Sequence, residues 1–179
     1  MFATEYSLPF TGTYVGLLMG AVATDIWSRR IPNLLSIVLA VLGLGAQFMT
    51  HGWRGGLSGV ISGAIIFGLL FLPWLKGGLG GGDVKLASAA AISLGLSKLI
   101  TFALVGAMAG GVVAAVCYLL SSAAARQSIR NNVLLSVAFR ALPAAAPAEA
   151  GRLTVPYAIA VATGALFALF APRGVQWAF

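Results

Sequence analysis

Asp25 and Asp83 are the residues in this chain whose type and setting could do chemistry. The sequence of 179 residues holds only four acidic side chains, the others being Glu5 and Glu149. Each aspartate stands at the end of a long apolar run. A carboxylate at membrane depth costs about 2.5–3.5 kcal/mol, so one kept there marks a functional site by default. Two carboxylates a few ångströms apart cannot both ionise easily and share a proton. The ionised member can take a proton from water, the water can attack a peptide carbonyl, and the protonated member can support the oxygen and then the leaving amine. The apparent pKa values of such a dyad belong to the pair. That chemistry needs no cofactor and no metal.

Each aspartate has a distinctive setting. The first is Asp25-Ile26-Trp27-Ser28-Arg29-Arg30-Ile31-Pro32-Asn33. Pro32 suits the first position of the next helix, where its missing N–H is harmless. Asn33 can hydrogen-bond backbone at that turn. An acid near a helix C-terminus opposes the macrodipole, so Asp25 calls for a reason beyond local structure. The second is Gly77-Gly78-Leu79-Gly80-Gly81-Gly82-Asp83-Val84-Lys85-Leu86, with five glycines in six positions. Such a backbone can be approached closely by another segment. Asp83 then opens a helix, and an acid is favoured there as N-cap. Capping would account for Asp83 alone, but not for the glycines or for Asp25. A glycine-rich loop before a helix can also cradle phosphate. Here no strand precedes it and no Lys-Ser/Thr ending follows, which argues against nucleotide binding. Lys85 lies two residues beyond Asp83, points elsewhere on the helix cylinder, and reads as an interface anchor or a distant electrostatic guide.

The elements that must position this pair are membrane helices. The chain is 60% hydrophobic and 8% charged, with mean hydropathy +0.98. Ordinary soluble domains do not have that composition. Six apolar spans are expected, over 8–27, 32–50, 55–75, 84–96, 100–122 and 154–171. The reading is therefore an all-α polytopic membrane protein in a single domain, 1–179. The N-terminal stretch lacks a basic region, so the first run is expected to remain as a membrane helix. The net charge of +7 fits an excess of basic residues on the cytoplasmic side better than nucleic-acid binding. With the N-terminus outside the cytoplasm, Arg29, Arg30, Lys76, Lys85, Arg126, Arg130, Arg140 and Arg152 fall inside. Only Arg54, Lys98 and Arg173 fall outside. The count predicts both termini on the periplasmic side. Trp27, Trp53, Trp74 and Trp177 lie near span ends, as interfacial anchors do. Asp25 ends an inward-running span and Asp83 begins an outward-running one, so both reach the cytoplasmic boundary at similar depth.

Segment 123–153 is expected to be a cytoplasmic loop. Ile129, Val133 and Val137 recur every four residues beside Arg130 and Arg140, which suits a helix lying in the interface. Pro143 and Pro147 among alanines read as a linker. The lone Cys117 excludes an internal disulfide and a multi-cysteine zinc site. His51 lies in an outer loop, far from the aspartates.

Gly80-Gly81-Gly82-Asp83 fits the G-x-G-D motif of intramembrane aspartic proteases. With Lys85 and Leu86 after it, and with Asp25 six residues before Ile31-Pro32-Asn33, the chain resembles the type IV prepilin peptidases. Val155-Pro156-Tyr157-Ala158-Ile159-Ala160 resembles that family's last motif segment. Presenilin-like proteases share G-x-G-D but use a Tyr-Asp motif on the partner helix, whereas Thr24 precedes Asp25 here. The resemblance implies cleavage of prepilin or pseudopilin leader peptides at the cytoplasmic face of a bacterial inner membrane. It implies Asp25 and Asp83 as the catalytic pair. Gly80, Gly81, Gly82, Lys85, Pro32, Asn33, Pro156 and Tyr157 would shape the site or bind substrate. Larger family members carry a cytoplasmic domain with paired cysteines and also methylate the new N-terminus. With one cysteine and no such insert, this chain is expected to be a peptidase only, similar to the compact enzymes that serve tight-adherence (Flp) pili. Membrane lipid is the other expected partner; the sequence does not fix an oligomeric state.

Two other classes compete. A proton-coupled transporter or channel subunit would use the two carboxylates as a relay, but its acids belong near mid-span beside broken helices. A noncatalytic scaffold for pilus assembly would use them as caps only, and Asp→Asn changes would then be silent.

Overall fold

The computed structural model describes residues 6–75, 78–121, 126–127 and 156–171. All regular structure among them is helical: α1 (Leu8–Ser28), α2 (Asn33–Leu75), α3 (Gly81–Leu94), α4 (Leu96–Leu120) and α5 (Tyr157–Phe170). The expected interfacial helix and linker of 123–153 lie outside the described residues, apart from 126 and 127. Trp177 and Val155 also lie outside them.

Helix α1 starts at Leu8-Pro9, where proline is tolerated in the first turn. Its buried residues are Thr11, Tyr14, Leu18, Ala21 and Asp25, spaced alternately by three and four. That spacing is one face of a helix, so Asp25 closes the stripe that faces the bundle interior. The helix ends at Arg29, which takes a left-handed conformation (φ 52°, ψ 31°) and donates its backbone N–H to the Asp25 carbonyl at 2.9 Å.

Helix α2 contains a sharp bend. The sequence reads as two spans separated by residues 51–54; the chain instead turns at one residue, Gly52, with φ 63° and ψ −154°. A residue with a Cβ is disfavoured there. The two arms, 33–51 and 53–75, both pack on α3. Notches receive it: a Cβ on Gly43 would collide with Ser93, and a Cβ on Gly59 would lie 2.7 Å from the Ile92 carbonyl oxygen. Pro73 lies two residues before the end of α2.

Helix α3 is the axis of the bundle. Ala87, Ala89, Ala90, Ala91 and Leu94 are all buried, and small side chains let neighbouring backbones come close. It stops at Gly95 (φ 69°), where a Cβ would lie 2.8 Å from Gln47 Nε2. Helix α4 follows at once, and Ser58 Oγ accepts the Leu96 N–H at 2.9 Å. Helix α5 packs on α4 at Gly164, whose Cβ would lie 2.9 Å from the Gly106 Cα.

Buried polar groups at the end opposite Asp83 are paired across helices. Gln47 Nε2 donates to the Tyr6 hydroxyl at 3.1 Å and to the Ser93 carbonyl at 3.0 Å. Lys98, which the charge count puts on the outer side, is also paired within the bundle. It is buried, its ammonium donates to the Leu169 carbonyl at 3.4 Å, and it stands 5.9 Å from the Tyr6 ring centroid. A carbonyl at the end of α5 and an aromatic face replace the water it gives up.

Helices Asn33–Leu75 and Leu96–Leu120 are long and apolar enough to cross a membrane by length and composition. Large apolar side chains such as Met108, Val112, Leu119 and Leu69 face outward. Outward apolar surface on this scale fits lipid as the surrounding medium. The apolar run of α3 begins at Val84, so Asp83 stands just outside it.

Candidate active site

The two aspartates reach one site from different helices. Asp25 is buried at the last inward position of α1, with 8% of its surface exposed. Its Oδ2 accepts a hydrogen bond from the Ala158 backbone N–H at 3.2 Å. Ala158 lies in the first turn of α5. The carboxylate that its own helix end disfavours therefore meets the positive end of another helix.

Asp83 is the third residue of α3, and Gly80 occupies the N-cap position. Gly80 has no side chain to cap the helix with, and the Asp83 carboxylate, three residues on, lies toward the Gly80 backbone N–H. Among the described residues, its Oδ1 is buried without a hydrogen-bond partner. An orphaned buried oxygen is costly in a folded chain unless the site is built for a ligand or for proton transfer. Burial and, second, the nearby Asp25 charge push Asp83 from 3.8 up to about 6. The Gly80 backbone N–H, which faces the carboxylate, opposes this.

The start of α5 touches both acids through consecutive residues. Tyr157 is within electrostatic range of Asp83, and Ala158 holds Asp25. Pro156 sits at the N-cap of α5, and its carbonyl accepts the Ile159 N–H at 3.3 Å, which fixes where Tyr157 and Ala158 begin the helix. The other two motifs meet as well. A Cβ on Gly82 would lie 3.2 Å from the Ile31 Cβ, so the turn after Asp25 packs on the residue before Asp83. A Cβ on Gly81 would lie 3.1 Å from the Trp74 indole nitrogen. A Cβ on Gly80 would lie 2.7 Å from the Asp83 Oδ2. None of these three glycines has a positive φ, so they serve space and not turn geometry.

Lys85, Asn33 and Pro32 make contacts at the joint between α3 and the start of α2. Lys85 is exposed and donates to the Asn33 side-chain oxygen at 3.0 Å, tying α3 to the start of α2. Pro32 is one residue ahead of α2, and its carbonyl accepts the Leu35 N–H at 3.1 Å. The Ala158 amide is the contact that sequence reasoning missed; a backbone donor carries no side-chain signal. Among the described residues, no three His, Cys, Asp or Glu side chains converge as a metal site would need.

A cavity of about 430 Å³ opens beside Asp83. Asp83 and Tyr157 are its polar side chains; the rest of its wall comes from Leu79 and from apolar or small residues of α2, α3, α4 and α5.

The sequence model of the type IV leader peptidase family matches residues 13–116. The chain belongs to this family. The match includes both aspartates and the glycine cluster, and it ends before Pro156 and Tyr157. No curated protein and no solved structure matches the chain. A type IV leader peptidase is a protease with a prepilin substrate, and the apolar helices mark this one as a membrane protein.

Proposed function

We propose that this leader peptidase is an aspartic endopeptidase that cuts the leader from type IV, Flp-like prepilins at the cytoplasmic face of the bacterial inner membrane. The observation that carries the reading is the convergence of Asp25 and Asp83 at the start of α5. The polytopic arrangement, with six spans and both termini periplasmic, rests on the charge distribution of the sequence. N-methylation of the product is not expected, because the sequence has a single cysteine and lacks the paired-cysteine insert.

The two acids have different roles. Asp25 receives a backbone N–H at a helix N-terminus, which fixes the direction of its carboxylate. Asp83 has a buried oxygen without a partner, which favours the protonated form. Asp25 is thus the base and Asp83 carries the shared proton. Asp25 takes a proton from water as the water oxygen attacks the scissile carbonyl. Asp83 gives its proton to the carbonyl oxygen, which becomes a hydroxyl of the tetrahedral intermediate. When the C–N bond breaks, the amine leaves with the proton held by Asp25. Asp83 recovers a proton from that hydroxyl as the carbonyl reforms. The pair ends as it began.

The test is to make Asp25→Asn and Asp83→Asn separately and follow the size of a co-expressed prepilin. Insertion of each variant is checked in the same membranes. Each substitution should slow processing about 10²–10⁴-fold, the usual weight of one acid–base group. Processing at the wild-type rate by either variant sinks the mechanism.

A further inference from the structure

A second cavity, of about 380 Å³, shares no lining residue with the one beside Asp83. Its walls are the first turns of α2, α3, and Phe67 of the returning arm of α2. The first arm of α2 and α3 run side by side in the same direction. Asn33 bonds to Lys85 at one end, and a Cβ on Gly43 would collide with Ser93 toward the other. Along both helices the polar residues come first. On α2, Asn33 and Ser36 precede Ile37 and Ala40; on α3, Lys85 and Ser88 precede Ala89 and Ile92. From Asn33 to Ala40, and from Lys85 to Ile92, the depth is about 10 Å at 1.5 Å per residue.

The charge at the mouth is one-sided. Lys85 is exposed, and Asn33 offers its ammonium a neutral oxygen, which leaves the charge unmatched. No acid is among the described residues that line the cavity. Arg30, also exposed, comes three residues before Asn33. Below the mouth, Ile37 and Phe67 are large, apolar and exposed, so the lower part of the cleft is open toward the surrounding medium. The Ser36 hydroxyl in its wall is buried and, among the described residues, has no hydrogen-bond partner.

We propose that this cleft binds one anionic phospholipid, its phosphate at Lys85 and the Asn33 side-chain amide and one acyl chain along Ile37, Ala40, Phe67 and Ile92. An unmatched cation beside a neutral donor selects an anion, and basic side chains at a membrane boundary attract acidic headgroups. Two turns of apolar wall below that point select a hydrocarbon chain attached to the anion. A lipid ester carbonyl, lying below the phosphate, supplies the acceptor that the Ser36 hydroxyl lacks; an unpaired buried hydroxyl is otherwise costly. The inference rests on the proposed placement of this end of the bundle at the membrane boundary. It does not rest on the roles given to Asp25 and Asp83, and its test needs no turnover.

The test is native mass spectrometry of the purified full chain, with phosphatidylglycerol and phosphatidylcholine of the same acyl chains supplied in equal amounts. One phosphatidylglycerol should stay on each chain under activation that strips phosphatidylcholine. Lys85→Gln, at an exposed position, should lower this retention about fivefold, the weight of one basic residue beside an anionic lipid surface. Ala40→Phe fills the apolar end and leaves Lys85 in place, and it should lower retention as well. Arg54→Gln removes an exposed cation beside the Gly52 bend and should change nothing. Equal retention of the two lipids, or equal loss in Arg54→Gln and Lys85→Gln, overturns the proposal. So does a loss in Lys85→Gln without one in Ala40→Phe, which would mean a headgroup contact with no seated chain. Displacement of the lipid by millimolar inorganic phosphate would make this a site for free anions and overturns it too. A dimer that both cleft variants break apart would make a second copy of the chain the occupant, with the same consequence.

Discussion

Asp25 and Asp83 differ in what their oxygens meet, and their predicted behaviours differ accordingly. Asp83 titrates near 6 because burial and Asp25 hold its proton. If Asp83 must be protonated, cleavage is retained below that value and falls as pH rises through it. A kcat–pH profile of the purified enzyme should show this alkaline limb, which belongs to the pair. The same shift has a stability consequence. Between 3.8 and about 6 the folded state binds more protons than the unfolded one, so stability falls as pH rises across that window. Above pH 6, Asp83→Asn should therefore melt at a higher temperature than wild type, and the gain should disappear below pH 4. A constant difference across the range would show that the substitution acts through packing instead. Gly80 offers a finer probe. A methyl there would lie 2.7 Å from the Asp83 oxygen and must turn the carboxylate. Gly80→Ala should cut kcat about 10²-fold, the scale of a misplaced catalytic group, with little change in melting temperature.

At the scale of elements, glycine decides where helices meet. The Gly59 notch faces the Ile92 carbonyl at 2.7 Å, and a backbone atom cannot rotate away. Gly59→Ala should destabilise the bundle by about 1–3 kcal/mol, as overpacking does, and lower the melting temperature in detergent. Much of this level was legible. The glycines before Asp83 promised close approach, which Ile31 supplies. Other features were not. The break between the second and third apolar runs is one residue, because Gly52 can adopt a positive φ; hydropathy shows that a run ends but not how the chain turns. The charge count placed Lys98 on the outer side, but composition does not reveal that a helix-end carbonyl and a tyrosine face await it. Lys85 and Asn33 sit within the motifs but bond to each other, because helix phase turns Lys85 away from Asp83. Ala158 acts through its amide, and any residue except proline would supply that donor.

For the whole molecule, charge and geometry make a joint claim. Basic residues near the ends of α1 and α2 support the proposed orientation, with the Asp25–Asp83 end of the bundle in the cytoplasm. A reporter fused after Phe179 should accordingly read as periplasmic. A cytoplasmic reading would invert the bundle and remove the site from the compartment where prepilins are made.

The bond between Ala158 and Asp25 joins residues 133 apart in sequence. Both aspartates leave the ribosome long before the amide and the tyrosine that complete their surroundings. A nascent chain halted before Tyr157 holds the acids without the clamp. In the order of synthesis, the surroundings of the two acids are thus complete only once the start of α5 has been made.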